Sequence, residues 1–168
     1  MKKKIFVHED NEILELERQS YFGGRCECFQ IGKLKKGNYY KLDINSMYPY
    51  IMKENDYPLK HIKTGTDIDA KVLLKASSIY CYVAKCEIET DIPVYAYREN
   101  KKLIFPTGRF TTVLTTGSLL YAIKAGHVKK VLQVACYRKA NIFHDFVDYF
   151  YNKRLEYRAA KNPAFAYV

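Results

Sequence analysis

A chain of 168 residues is long enough for one domain with a real core and short for two, and its 48% apolar content excludes a disordered polymer. The 28 Lys and Arg outweigh 18 Asp and Glu by +10 and are spread along the chain, which points to a polyanionic partner, nucleic acid ahead of membrane, or else to cations that only solubilise the surface. No apolar run reaches membrane length and MKKKIFV turns apolar too briefly for a signal peptide, so no membrane partner and a cytoplasmic location are expected.

Sixteen Tyr and nine Phe supply rings that fill a core or stack on bases. Neither Cys26-x-Cys28 nor Cys81-x4-Cys86 has a second pair at zinc-binding spacing, so the five Cys read as reduced thiols. In chain order, Lys4 to His8 is a short β-like run and Asn11 to Arg18 a helical turn or two. Ser20-Tyr21-Phe22-Gly23-Gly24-Arg25 follows. Its glycine pair serves either a tight turn or a backbone-lined contact with a nucleic-acid strand, helped by Arg25. Cys26 to Ile31 alternates like a strand, and Lys33 to Asn38 forms a basic hairpin tip.

In Tyr40 to Met52, YKLDINSMYPYIM, Tyr40, Leu42 and Ile44 alternate with Lys41, Asp43 and Asn45. A strand here buries the first set and leaves Asp43 on the open face. Ser46 is placed to cap the next helix, and Pro49 suits its first turn. A carboxylate at a strand end beside a helix N-terminus makes a place where a metal ion and a phosphate can meet.

That helix should run out near Asn55. Beyond it come a polar connection at Thr66-Asp67-Ile68-Asp69, a strand from Ser78 to Ile88, an extended stretch from Pro93 to Arg98, a hairpin around Glu99-Asn100, and a turn at Pro106-Thr107-Gly108. Asp67-Ile68-Asp69 is read as a loop or cap. Thr116 is placed to cap a helix that Gly126 ends, and Val128 to Tyr137 is a strand. From Asn141, Phe143, Phe146, Val147 and Phe150 fall at i, i+3, i+4 and i+7 as a core-facing stripe that turns basic at Arg154, Arg158 and Lys161. The basic end either complements the helix dipole in solvent or offers cations to a ligand.

Two separated motifs carry a resemblance. Asp43-x-x-Ser46-Met47-Tyr48-Pro49-x-Ile51 resembles the first polymerisation motif of the family B DNA polymerases, Asp-x-x-Ser-Leu-Tyr-Pro, with Met for Leu. Tyr21-x-Gly23-Gly24 is similar to their upstream Tyr-x-Gly-Gly. The protein-primed phage, linear-plasmid and organellar branch is the nearer one. Leu103 to Gly108 and Ile142 to Tyr151 look like that branch's segment leading to the fingers helix, so the resemblance covers roughly residues 20–168.

The resemblance implies a metal-dependent nucleotidyltransferase of DNA replication. Asp43 would be one of two catalytic carboxylates holding paired Mg²⁺ or Mn²⁺ ions. Ser46, Met47 and Tyr48 would bind the nucleotide, with backbone N–H groups on the triphosphate and Tyr48 packed on the deoxyribose. Arg154, Arg158 and Lys161 would grip its phosphates, and Tyr21, Gly23 and Gly24, with Arg25, would contact the template. The implied partners are template and primer DNA, deoxynucleoside triphosphates and a priming terminal protein.

The expected architecture is α+β: a small antiparallel sheet with Asp43 at its edge, packed against helices near 116–126 and 142–161. Residues 1–56 would be partial palm, 57–140 the palm connection and the insertion that meets the priming protein, and 141–168 the start of the fingers helix. The second carboxylate motif, Asp-Thr-Asp, does not occur in these residues. The reading is therefore a polymerase fragment, inactive alone, with self-association through exposed sheet edges. A non-catalytic basic nucleic-acid-binding module, or a decayed mobile-element relic, explains the charge as well.

Overall fold

A computed structural model describes residues 6–163. In chain order the elements are α1 (Asn11–Gln19), α2 (Met47–Glu54), β1 (Tyr57–Thr66), α3 (Ala70–Ala76), β2 (Tyr80–Thr90), β3 (Tyr97–Glu99), β4 (Lys102–Ile104), β5 (Gly108–Thr115), α4 (Thr116–Lys124), β6 (Val128–Ala140) and α5 (His144–Ala159). The fold is α+β. One compact unit joins the described residues up to Gly23 with Asp56–Ala140; the other joins Gly24–Asn55 with the described residues from Asn141 on.

The first unit is an antiparallel sheet in the order β1-β6-β2-β5. Successive side chains on a strand point to opposite faces, and β2 uses both. Tyr82, Ala84, Cys86 and Ile88 enter a core with Leu73 of α3 and Leu119 and Ala122 of α4. Cys81 and Val83 meet Ile13 and Leu16 of α1 on the other face. Helices on both faces explain why β2 opens with an unbroken apolar run, Tyr80 to Ala84, before it alternates with Lys85, Glu87 and Glu89.

Local chemistry sets the ends of these helices. Asp10 Oδ1 accepts from the N–H groups of Glu12 and Ile13 at 3.0 and 3.2 Å and so caps α1. Tyr137 donates to Glu17 at 2.6 Å and ties α1 to β6. Asp69 caps α3 through Lys71 N–H at 2.9 Å, as its reading as a loop or cap residue anticipated. At α4 the N-cap is Thr115, without a side-chain bond; Thr116 instead accepts from Tyr82 N–H at 2.8 Å and donates to Tyr82 O at 3.2 Å. Gly126, at φ +74°, ends the helix as expected. Asn100 and Lys101, both at positive φ, make the β3–β4 turn at the anticipated place.

Three elements were not foreseen. β1 carries Pro58 and two register shifts against β6, which blur its alternation. β5 begins inside the expected turn at Pro106–Gly108. α3 is only seven residues long and starts inside the polar connection. The proposed run Lys4 to His8 lies partly outside the described residues; Phe6 N–H donates to Leu59 O at 3.1 Å. The three thiols Cys81, Cys86 and Cys136 are buried, Cys26 and Cys28 are exposed, and all five are free. Burial pushes the Cys86 thiol up to about 12, so it stays protonated.

In the second unit, residues 24–45 hold neither helix nor strand. This corrects the expected strands at 26–31 and 40–45, and with them the placement of Asp43 at a sheet edge. Tyr40, Leu42 and Ile44 are 82%, 90% and 69% exposed. Alternation decides which side chains share a face, but a strand also needs a partner for its N–H and C=O groups, and among the described residues none pairs here. The helices of this unit, α2 and α5, pack on each other. Asn141 joins them at one end, donating to Lys53 O and accepting from His144 N–H at 3.0 Å. Of the expected core-facing stripe on α5 only Val147 is buried; Phe146 and Phe150 stay more than a third exposed.

Candidate functional site

Helical spacing builds one wall of the site. Tyr151, Arg154, Leu155 and Arg158 stand at i, i+3, i+4 and i+7 on α5 and so share one face. The opposite wall comes from the turn before α2. Ile44 O accepts from Met47 N–H at 3.3 Å, and Ser46 O accepts from Tyr50 N–H at 3.0 Å. Ser46 is the N-cap position of α2 but sits in the left-handed region at φ +55° and makes no side-chain cap bond, which corrects the expected cap. Its hydroxyl is thereby left for other partners.

These walls enclose an open cleft of about 600 Å³ lined by Asp43, Asn45, Ser46, Pro49, Tyr151, Arg154, Leu155 and Arg158. That volume lies in the range of small-molecule sites. Asp43 is exposed, and neither it nor Arg154 or Arg158 joins an ion pair among the described residues. Their neighbours are engaged: Lys53 pairs with Asp148 at 2.6 Å and Lys153 with Glu156 at 2.7 Å. One carboxylate and two guanidinium groups are thus left unneutralised around one space, where Arg forks match phosphate oxygens. Asp43, Asn45 and Ser46 offer hard oxygen donors of the kind Mg²⁺ and Mn²⁺ prefer. Among the described residues no three His, Cys, Asp or Glu side chains come close enough to hold a metal ion together.

The other residues singled out from sequence are not among those that line this cleft. Met47 spends its N–H on Ile44, and the Tyr48 ring is 73% exposed at the start of α2. Lys161 follows the end of α5 at φ +52° and falls off the helical stripe. Arg25 pairs with Glu27 at 2.7 Å. Tyr21 is 76% exposed, and a Cβ added at Gly23 or Gly24 would meet nothing within 4 Å, so that backbone is open to close approach. Asn45, Tyr151 and Leu155 were missed as cleft residues; the 151-154-155-158 spacing was the signal that could have found the last two.

The Lys53–Asp148 pair fastens the two helices that form the cleft. Its hydrogen bond to Lys53 holds the Asp148 carboxyl below its ordinary value, and the same bond raises Lys53 above its own. A depressed carboxyl contributes stability above the ordinary carboxylate range that is lost as pH falls through its folded value; a raised ammonium contributes below its ordinary value and is lost as pH climbs past the folded one. Protection of the α2 amides, measured relative to the exchange rate of unstructured peptide at the same pH, should therefore be greatest between about pH 5 and 9 and fall on both sides. Asp148→Asn should flatten the acid limb, and an unchanged acid limb would remove this pair as its cause.

The comparisons with known proteins agree with one another. The family model described as DNA polymerase type B, organellar and viral, matches residues 1–168. A DNA polymerase of Acidianus bottle-shaped virus (isolate Italy/Pozzuoli) is 29% identical over 174 residues, covering 94% of this chain and 26% of the viral protein. A probable DNA polymerase of Neurospora intermedia is 26% identical, covering 89% of this chain and 17% of the other. Phi29 DNA polymerase, solved with primer-template DNA and incoming nucleotide substrates, superposes with a TM-score of 0.55 at 17% identity over 90% of this chain and 29% of its own, a likeness of fold. The chain spans about a quarter or less of the length of the curated relatives it matches. With the whole of its sequence matched by that model, the chain belongs to the organellar and viral type B DNA polymerases.

Proposed function

We propose that this chain supplies one half of the nucleotidyl-transfer site of a DNA-directed DNA polymerase, with Asp43 as one of two metal-holding carboxylates. The observation that carries the reading is the cleft lined by Asp43 and Ser46 together with Arg154 and Arg158, of which Asp43 and the two arginines join no ion pair among the described residues. In the complete enzyme a 3′-hydroxyl, or a hydroxyl of a priming protein, attacks the α-phosphorus of a deoxynucleoside triphosphate and pyrophosphate leaves. Paired Mg²⁺ or Mn²⁺ ions, when bound, lower the charge cost of that displacement. Asp43, with Ser46 beside it, would hold metal, and Arg154 and Arg158 would take the phosphates, with Lys161 and the Tyr48 N–H as outlying contacts. The Tyr48 ring packs on the deoxyribose. Tyr21, Gly23, Gly24 and Arg25 lie against the template.

Residues 1–56 are then partial palm, 57–140 the palm connection and the surface that meets a priming protein, and 141–168 the start of the fingers helix. The sheet ends in the edges β1 and β5, through which copies can associate. The free thiols fit a reducing, cytoplasmic-type compartment, and no described helix is long and apolar enough to cross a membrane. With one catalytic carboxylate in hand, the chain alone binds without polymerising.

Titration with a deoxynucleoside triphosphate in Mn²⁺ tests this. Saturable, metal-dependent binding should appear with the unaltered chain and vanish with Asp43→Ala, while affinity for primed DNA is kept. Binding that ignores both the metal and Asp43→Ala would sink the reading, and would leave the chain a basic nucleic-acid-binding module.

A further inference from the structure

Arg98, at the middle of β3, spends its guanidinium on a segment 77 residues away in the chain. Its Nη2 donates to Tyr21 O at 3.0 Å, and its Cζ lies 5.8 Å from the centroid of the Phe22 ring. The two contacts use different parts of one group, an in-plane N–H and a cationic face, and both fall on the residues just before Gly23 and Gly24. We propose that Arg98 is a positioning residue for the Tyr21-x-Gly23-Gly24 segment, fixing the backbone that the proposed template contact uses. The inference deepens the functional reading above and rests on it for the identity of the strand.

The base from which Arg98 reaches is firm. Tyr95, three residues earlier, is buried, and its hydroxyl lies 2.7 Å from His127 Nδ1. Thr112 donates to Ala96 O at 2.7 Å. Tyr97 sets its ring edge-on to Phe110 at 5.8 Å. Beyond Arg98 the strand closes through the tight turn at Asn100 and Lys101 onto β4. Every residue from Tyr95 to Tyr97 is therefore anchored, and the guanidinium starts from a fixed place. On the receiving side Tyr21 N–H donates to Arg18 O at 3.2 Å, at the end of α1.

Tyr21 is held through both of its backbone polar groups, by α1 through N–H and by Arg98 through C=O. Its ring is left outside, and the glycine backbone that follows stays uncovered. Without Arg98, Tyr21 would keep only its N–H bond to Arg18 among the described hydrogen bonds, next to the Ser20 bonds that close α1. A loop with two glycines and one tether samples many backbone states, and each state that differs from the binding one weakens a backbone-mediated contact.

Two measurements on the full chain test this, one of them independent of nucleic acid. In limited digestion with chymotrypsin, read by mass spectrometry, cleavage after Tyr21 and Phe22 should be about threefold to tenfold faster in Arg98→Ala than in the unaltered chain. Arg98→Lys should be intermediate, and Lys102→Ala, which removes one charge from the same hairpin, should leave it unchanged. Fluorescence titration with primed DNA should show Arg98→Ala losing more affinity than Lys102→Ala. Equal cleavage in Arg98→Ala and the unaltered chain overturns the proposal, and so does a DNA affinity no lower than that of Lys102→Ala. Failure of the unaltered chain to bind DNA removes the template reading instead, while the cleavage rates still decide whether Arg98 holds the segment.

Discussion

Alanine at Arg154 is expected to weaken binding of a deoxynucleoside triphosphate by about tenfold to a hundredfold, or roughly 1.4–2.8 kcal/mol. The estimate follows from three features of the cleft. Arg154 lines it between Tyr151 and Arg158, facing Asp43 and Ser46, and has no carboxylate partner among the described residues to which its charge is already committed. A charge-assisted hydrogen bond to phosphate is about twice as strong as a neutral one, and a guanidinium makes two of them at once. The cleft is open to solvent, which screens the interaction and keeps it below what a buried pair would give.

The companion residues set an order. Arg158 lines the same cleft but sits in the last turn of α5, where part of its charge complements the helix dipole, so Arg158→Ala should cost less. Lys161, beyond the helix end, should cost least. Arg154→Lys should recover part of the loss, since it restores the charge without the fork. Competition titrations with a fluorescent triphosphate at two salt concentrations give the ranking, and the Arg154 effect should shrink at the higher salt. If Lys161→Ala proves the most damaging, the phosphates lie past the end of α5 and the cleft is not their site.

Much of this site was readable because helices carry their geometry in their spacing. Arg154 and Arg158 could be placed on one face from the sequence, and Asp43 and Ser46 came with a motif whose residues are adjacent in the chain. What could not be read was whether a locally sound pattern finds a partner. Tyr40, Leu42 and Ile44 alternate as well as any residues in β2, yet β2 has β5 and β6 beside it and the stretch around Asp43 has no strand. β1 was hidden by Pro58 and two register shifts, and it exists because β6 supplies its hydrogen bonds. Arg98 was invisible for a related reason: nothing local distinguishes it from the other cations of the hairpin, and its role comes from a tertiary contact with Tyr21 and Phe22.

In the first unit the largest stability effect is expected from Leu119→Ala, at about 3–4 kcal/mol. Leu119 is fully buried, in the cluster that includes Tyr82, Ala84, Cys86, Ile88 and Leu114. Trimming its isobutyl group to a methyl loses the transfer free energy of three carbons, and a cavity remains unless neighbours move in. Their freedom to do so is small. Thr116 binds both backbone groups of Tyr82 at the start of α4, and Glu89 N–H of β2 donates to His127 O at 2.9 Å just past its end, which limits how far the helix can settle toward β2. Two members of that cluster, Ala84 and Cys86, are too small to fill such a space. A cost in the upper half of the Leu→Ala range is therefore expected, a large share of the roughly 5–15 kcal/mol that holds a domain together. Urea unfolding followed by far-ultraviolet circular dichroism should show a lower midpoint with an unchanged slope. Leu119→Met, which nearly conserves volume, should cost less than about 1.5 kcal/mol. Val72→Ala, at a half-exposed position on α3, should stay within about 0.5 kcal/mol. A Leu119→Ala cost below about 1 kcal/mol would mean that α4 can collapse onto the sheet after all, and that its two end anchors do not fix its height above β2.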